Sequence, residues 1–316
     1  MQLDLFSTPL VVSYGMGVDS TAMLVEFRRR GIRPDLILFA DTGGEKDETY
    51  AYRATIDAYL AAHDYPTVTV VRYVPRDFKN WPPYYTLEAN CLTNGTLPSL
   101  AFGFGSCSQK WKAAPQHRYI ASWPPALACW ARGDRVTKAI GYDAGPRDLR
   151  RHNRAQSASA QDARYSYWYP LIEWDWDRER CAQEVEREGL PVPPKSSCFY
   201  CPAMKTHEID ALPPDKLRRI VVMEARAKPR LGTVEGLWRK ATRARPGSMT
   251  EYIREKGLLP AEEVDRLIEQ VPLEIVRREQ AHARGEAIAS WDEFFRTICN
   301  PPSRSLGSRP QQDIAC

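Results

Sequence analysis

No stretch of the 316 residues comes near the ~18 uninterrupted apolar positions that a membrane-spanning helix needs, so an integral membrane protein is not expected. Met1–Leu10 also lacks a basic start followed by an apolar run, and a cytoplasmic location is the expectation. Histidine is scarce, at five, which leaves few imidazoles for a metal site or a catalytic base. Charge of one sign is equally lacking: 44 Lys/Arg against 40 Asp/Glu give a net +4, too mild for a general polyanion binder. The balance is local instead, with twelve Lys/Arg against five Asp/Glu between Pro214 and Lys256, a stretch that could face a polyanion. Hydrophobic residues at 43% and charged residues at 27% indicate a globular chain of one large domain or two modest ones.

Cysteine is present but unevenly placed, at 91, 107, 129, 181, 198, 201, 299 and 316. In a reducing compartment, and in a chain this long, that spacing is no disulfide framework. The single close pair, Cys198-x-x-Cys201, reads as metal ligation or redox chemistry.

Short apolar runs alternate with helical patterns through the first half. Leu10–Ser13, Asp35–Ala40, Thr67–Tyr73, Arg135–Tyr142 and Tyr167–Ile172 read as strands. Helices are predicted over Ser20–Arg30, about Asp47 to His63, Gln109–Ser122 and Arg178–Glu188. This alternation predicts an α/β fold, a doubly wound parallel five-stranded sheet with ligands beyond the carboxyl ends of its strands, followed by a mainly helical C-terminal region. Two segments break the pattern, Pro75–Ser108 as a functional loop and Asp143–Arg164 as an Arg-rich mobile lid. The expected organisation is a nucleotide-binding domain over 1–190, a Cys-x-x-Cys loop and helical domain over 191–300, and a disordered tail over 301–316.

The segment Ser13-Tyr14-Gly15-Met16-Gly17-Val18-Asp19-Ser20 joins the first strand to the first helix. Glycines let backbone N–H groups approach an anion, and the helix adds the positive end of its dipole. Ser13 and Ser20 supply hydroxyls, while Asp19 is placed to hold magnesium or to cap the helix. The loop has neither the GK[ST] of a Walker motif nor a third glycine for a dinucleotide fingerprint.

Together with Asp41-Thr42-Gly43-Gly44-Glu45-Lys46-Asp47-Glu48-Thr49, this loop resembles the PP-loop ATP pyrophosphatase superfamily and, within it, the phosphoadenosine phosphosulfate (PAPS) reductase-like branch. SYGMGVDS is similar to the family's SGGxDS with one extra residue, and DTGGEKDET to its DTGxxxPET with Asp47 in place of proline. The resemblance implies an adenine nucleotide alpha hydrolase-like fold, with the nucleotide's phosphate end in the Ser13–Ser20 loop and its adenine near Phe39, Asp41, Thr42 and Gly43. It also implies ATP split between its α and β phosphates with Mg2+ present, assisted by Lys110 and Lys112. Cys107-Ser-Gln-Lys110 resembles the family's Cys-x-x-x-Lys. With Cys198 and Cys201 it implies a 4Fe-4S cluster, zinc being the alternative, whose fourth ligand is Cys91, Cys129 or none.

The function implied is a sulfurtransferase that adenylates nucleic acid, a tRNA base for thiolation or the DNA backbone for phosphorothioation. A partner such as a cysteine desulfurase would supply sulfur, and the chain could act as a homodimer. The alternatives are reduction of adenylyl sulfate or PAPS to sulfite, and a non-catalytic nucleotide-binding subunit. Reductases of the family end in ECGxH, whereas this chain ends in QQDIAC. Asp143 and Arg147 fall where the family often places a Gly-x-Arg anion contact, and a surface turn is the other reading. Arg150, Arg151 and Arg154 read either as phosphate contacts or as a solvated face. Trp168, Trp174 and Trp176 read either as a surface on which bases could stack or as core residues, the core being the usual place for aromatics at such spacing.

Overall fold

The computed structural model describes residues 8–78, 80–98, 107–159, 162–231 and 235–299, so the tail over 301–316, with Cys316, lies outside the described residues. Two compact units divide the chain, one made of residues 1–94 and 98–204 and the other of 95–97 and 205–316. Cys198 and Cys201 therefore belong to the same unit as the sheet.

Five parallel strands build the first unit: β1 (Leu10–Ser13), β2 (Leu36–Asp41), β3 (Val68–Arg72), β4 (Val136–Ile140) and β5 (Tyr165–Trp168). They stand in the order β3-β2-β1-β4-β5. Alternate residues of each strand point to opposite faces, and both faces are buried. Val12, Ile37, Phe39 and Ala139 pack with α1 (Val18–Arg29), α2 (Asp47–Ala62) and α8 (Arg178–Arg187). Val11, Leu36, Leu38 and Val136 pack with α4 (Ala114–Ile120) and α5 (Pro124–Ala131). The fold is thus α/β and doubly wound. Chain direction through the sheet reverses between β1 and β4, and in open parallel sheets that switch point is where the carboxyl ends leave a ligand crevice.

Three segments differ from the sequence expectation. The fifth strand begins and ends earlier than Tyr167–Ile172, because Pro170 lacks the N–H that a ladder needs and instead starts the helical turn α7 (Pro170–Glu173). The predicted lid is largely helix α6 (Pro146–Ser159), opened by Pro146 in its first turn; its sparse apolar content hid the helical period. The loop over Pro75–Ser108 contains α3 (Leu87–Asn94). Downstream, Ser108–Ala113 forms a π-helical turn that runs directly into α4.

In the second unit α9 (Thr206–Asp210), α10 (Pro214–Leu231), α11 (Met249–Glu255), α12 (Ala261–Ala283) and α13 (Trp291–Cys299) form a helical assembly. The carboxylate of Glu224 in α10 is buried and accepts from the N–H groups of Leu237, Met249 and Thr250 and from Ser248 Oγ, at 2.6–3.0 Å. That one side chain ties the 237–250 segment to α10. Part of the basic excess is neutralised here, since Arg218 and Arg254 pair with Glu263 and Asp265, and Arg219 and Arg226 with Asp292 and Glu279. Among the described residues no helix is long and apolar enough to cross a membrane.

Candidate nucleotide and thiol site

The loop after β1 is organised by its own side chains. Ser20 Oγ accepts from Gly15 N at 3.2 Å and donates to Gly17 O at 3.1 Å, bending the chain back on itself. Ser13 Oγ donates to Gln116 Oε1 at 2.8 Å. Tyr14 is fully buried; its N–H donates to Leu38 O, and its hydroxyl lies 3.0 Å from Thr21 Oγ1. Met16, the extra residue of the loop, sits at φ 54°, a strained conformation for a non-glycine residue, and its side chain is buried in the core beside Val18. Gly17 is the N-cap of α1 and offers no side-chain cap, so the first-turn N–H groups of the helix, with the positive end of its dipole, are left to an external partner. Asp19 is the second residue of that helix rather than its cap.

The far wall of the crevice comes close. A Cβ on Gly141, just past β4, would stand 2.9 Å from Ser20 Cα, so only glycine allows the end of β4 to meet the first turn of α1 this tightly. Asp19 leans toward this wall: Oδ2 accepts from Arg178 at 3.0 Å while the buried Oδ1 has no hydrogen-bond partner. Burial pushes its carboxyl up to about 6; Arg178 opposes the shift, and the carboxylates of Asp143 and Asp148 add to it. Arg151 of α6 pairs with Asp148 and stacks over Tyr142.

Asp41, Thr42 and Gly43 occupy the carboxyl end of β2. The Asp41 carboxylate is wholly engaged, Oδ1 accepting from Gly43 N and the Tyr50 hydroxyl and Oδ2 from two N–H groups of Arg72, all at 2.8–2.9 Å. Asp41 therefore shapes the turn. Phe39 is buried in the core, so at that position the main chain is the part nearest the crevice. Both glycines of the turn are required. Gly43 has φ +73° and lies against Thr86, and a Cβ on Gly44 would stand 2.4 Å from the Tyr200 hydroxyl.

Through that second glycine the cysteine loop docks. Glu45 and Cys198 form an antiparallel bridge, Phe199 N donates to Gly44 O at 2.9 Å, and Thr42 Oγ1 lies 3.1 Å from Cys198 Sγ. Ser196 meanwhile packs on Gly17, where an added Cβ would lie 3.5 Å from Ser196 Cβ. Lys112, on the π-helical turn, donates to Glu45 Oε1 at 3.2 Å, and Ser196 Oγ reaches the other oxygen at 3.4 Å. Burial alone would lower the Lys112 ammonium; the Glu45 carboxylate, which it also hydrogen-bonds, outweighs it and holds the group protonated well above its ordinary value. Lys110 is directed differently, its ammonium lying 5.1 Å above the Tyr73 ring.

None of the three candidate ligand cysteines is in a disulfide. Burial, reinforced by Glu45, pushes Cys198 up to about 12 against the pull of Lys112. Burial also raises Cys201, and the neighbouring Cys107 adds to it. Of the two further cysteines, Cys91 is buried within electrostatic reach of Tyr200, whereas Cys129 is enclosed in the core under β4. Among the described residues no three His, Cys, Asp or Glu side chains are grouped to hold a metal ion. The tryptophans pack as a ladder, Trp168 stacked 5.2 Å from Phe27 and Trp174 edge-on to both Trp168 and Trp176.

Sequence reasoning missed Glu45, which joins the β2 turn, the Lys112 turn and the cysteine loop. Its signal was present: a carboxylate directly after two glycines, where the chain has to turn inward.

No family model matches the chain, and no curated protein matches it. Among solved structures, the chain is similar to phosphoadenylyl-sulfate (PAPS) reductase from Candida auris, in complex with phosphate, at 14% identity and a TM-score of 0.38. That match covers 60% of this chain and 78% of the other, and at such a score it carries no argument about the activity.

Proposed function

We propose that the chain is a PP-loop-type adenine-nucleotide enzyme that splits ATP between the α and β phosphates and adenylates an oxygen of a nucleic-acid substrate, preparing it for sulfur insertion. The observation that carries this reading is the docking of Ser196–Cys201, which sets Ser196 against the uncapped N-terminus of α1 at Gly17 and Cys198 against the β2 turn at Thr42 and Glu45, at the switch point of the sheet.

The chemistry follows from the side chains present. The acceptor oxygen attacks the α-phosphorus, the bond to the bridging oxygen breaks, and pyrophosphate leaves with the electron pair. Main-chain N–H groups from Gly17 into α1 and the helix dipole are suited to the charge on the departing group. Mg2+ would neutralise further charge there. Asp19, whose Oδ1 has no protein partner, is the residue of the loop suited to hold it. Lys112 keeps its positive charge through Glu45 and can face a developing anion. Attack of sulfide-level sulfur on the adenylated carbon or phosphorus then forms the C–S or P–S bond and releases AMP with the electron pair of the broken C–O or P–O bond; sulfur delivered as a persulfide needs two electrons from an added dithiol to cleave its S–S bond. Support for a nucleic-acid acceptor is the basic stretch of the second unit, in which Arg239, Lys240 and Arg243 stand exposed after the pairings with α12 and α13.

Pyrophosphate release from ATP and Mg2+, dependent on added tRNA or DNA and yielding a thiolated nucleoside or phosphorothioate when a cysteine desulfurase is supplied, is the expected result. Sulfite release from an adenylyl sulfate would establish the reductase reading instead, which asks for a nucleophilic thiolate where burial holds Cys198 and Cys201 protonated. Nucleotide binding without turnover would make the chain a non-catalytic subunit.

A further inference from the structure

Beyond β3 the chain carries a concentration of aromatic side chains that the nucleotide site does not use. Tyr85 is 58% exposed and Trp81 48%, with Phe78 and Tyr84 half-buried beside them. Phe78 meets Tyr84 and Tyr85 in T-shaped contacts at 5.4 and 5.5 Å, an arrangement that leaves further ring area open. A loose loop would hide these rings by collapse, but this one is fastened at four points. Arg118 donates to Val74 O at 3.0 Å, Asn80 to Asn94 at 2.6 Å, Thr93 to Pro82 O at 2.8 Å, and Leu87 N to Thr42 O at 2.9 Å. The last bond joins the segment directly to the β2 turn of the candidate site, and Thr86, next to Tyr85, fills the space that Gly43 leaves.

Charge around the rings is predominantly positive. Arg76 and Arg118 are exposed, Lys110 lies over Tyr73, and Arg72 keeps 65% of its side chain exposed while pairing with Asp41; Asp77 is the exposed acid among them. Aromatic faces rimmed by cations are the combination that binds single-stranded nucleic acid, since bases stack on the rings and phosphates meet the cations.

We infer that Trp81 and Tyr85, with Phe78 and Tyr84 beside them, form a stacking platform for unpaired bases of the acceptor strand. The inference deepens the nucleic-acid reading above and rests on it. It sets the substrate class as single-stranded or looped nucleic acid, since a closed duplex keeps its base faces stacked on one another.

The test is fluorescence anisotropy with a labelled single strand of roughly a dozen nucleotides, a matched duplex, and an abasic strand of equal length. Trp81→Ala and Tyr85→Ala should each weaken single-strand binding by about tenfold, while Trp81→Phe and Tyr85→Phe retain it. The abasic strand and the duplex should bind the unaltered protein no better than the Ala variants bind the single strand. Equal binding of normal and abasic strands by the unaltered protein overturns the inference, and that comparison decides even if an Ala variant fails to fold. Light scattering provides a second contrary outcome: Ala variants that convert a dimer to monomers with strand binding unchanged would make this surface a seam between copies of the chain. A parallel titration with ATP and Mg2+ separates the two readings. Loss of nucleotide binding with stacking intact removes the proposed activity alone, whereas stacking-independent strand binding with nucleotide turnover intact removes the platform alone.

Discussion

Lys112 Nζ stands 3.2 Å from Glu45 Oε1, joining two residues 67 positions apart and locking the π-helical turn after Cys107 to the turn after β2. Glu45 is 1% exposed, so removing its cation leaves a carboxylate with no route to full hydration. Lys112→Gln should cost about 1–3 kcal/mol, at the low end because the lysine itself is partly solvated. The two partners also act in opposite senses on Cys198. Glu45→Gln should shift the pH midpoint of Cys198 alkylation downward and Lys112→Gln should shift it upward, measured by mass spectrometry of the labelled peptide.

Gly44 and Gly31 separate crowding from backbone strain. Gly44→Ala puts a methyl into the Tyr200 ring and should undock the cysteine loop, costing about 2–3 kcal/mol and increasing proteolysis at 195–201. Gly31→Ala, at φ +67° with nothing within 4 Å, should cost only about 1 kcal/mol and leave that loop protected. Chemical denaturation with limited proteolysis reads both.

Asp19 gives the molecule a pH dependence of defined sign. Its carboxyl is raised from an ordinary 3.8 to about 6, so between those values the folded chain holds more protons than the unfolded one. The carboxyl's contribution to stability therefore falls as pH rises through that window and stays low above it. Asp19→Asn should raise the melting temperature at pH 7 and leave it unchanged below 3.8. The same substitution should flatten the rise in Mg2+-dependent nucleotide binding expected as the native carboxylate forms above about pH 6.

Ser20 ties the nucleotide loop together through Gly15 and Gly17. Ser20→Ala should weaken adenylate binding by about tenfold, the equivalent of one lost hydrogen bond of about 1–1.5 kcal/mol with loop ordering added. Its effect on melting temperature should be small, because its two hydrogen bonds lie within the loop and none reaches the sheet.

Legibility in the sequence followed the strength of local signals. Apolar β-branched runs placed β1 at its observed bounds and β2, β3 and β4 within a residue or two, because both faces of a doubly wound sheet are buried and the runs are continuous. The two glycine-bearing turns were visible for the same local reason. What escaped was either polar or non-local. α6 is built from Arg, Asn, Gln and Ser with too few apolar positions to show a period, and β5 was misplaced because its aromatic run continues past the strand into Pro170. The contacts of Glu45 with Lys112 and of Gly17 with Ser196 span 67 and 179 positions, and no periodicity reports such pairs.

The most direct measurement is calorimetric titration of ATP with Mg2+ into the purified chain and into Gly17→Val, whose larger side chain would press on Ser196 and cover the start of α1. Saturable one-site binding by the unaltered chain, abolished by the substitution with the fold intact, is the predicted result. No heat with ATP or any other adenylate, or identical isotherms for the two proteins, would contradict the account.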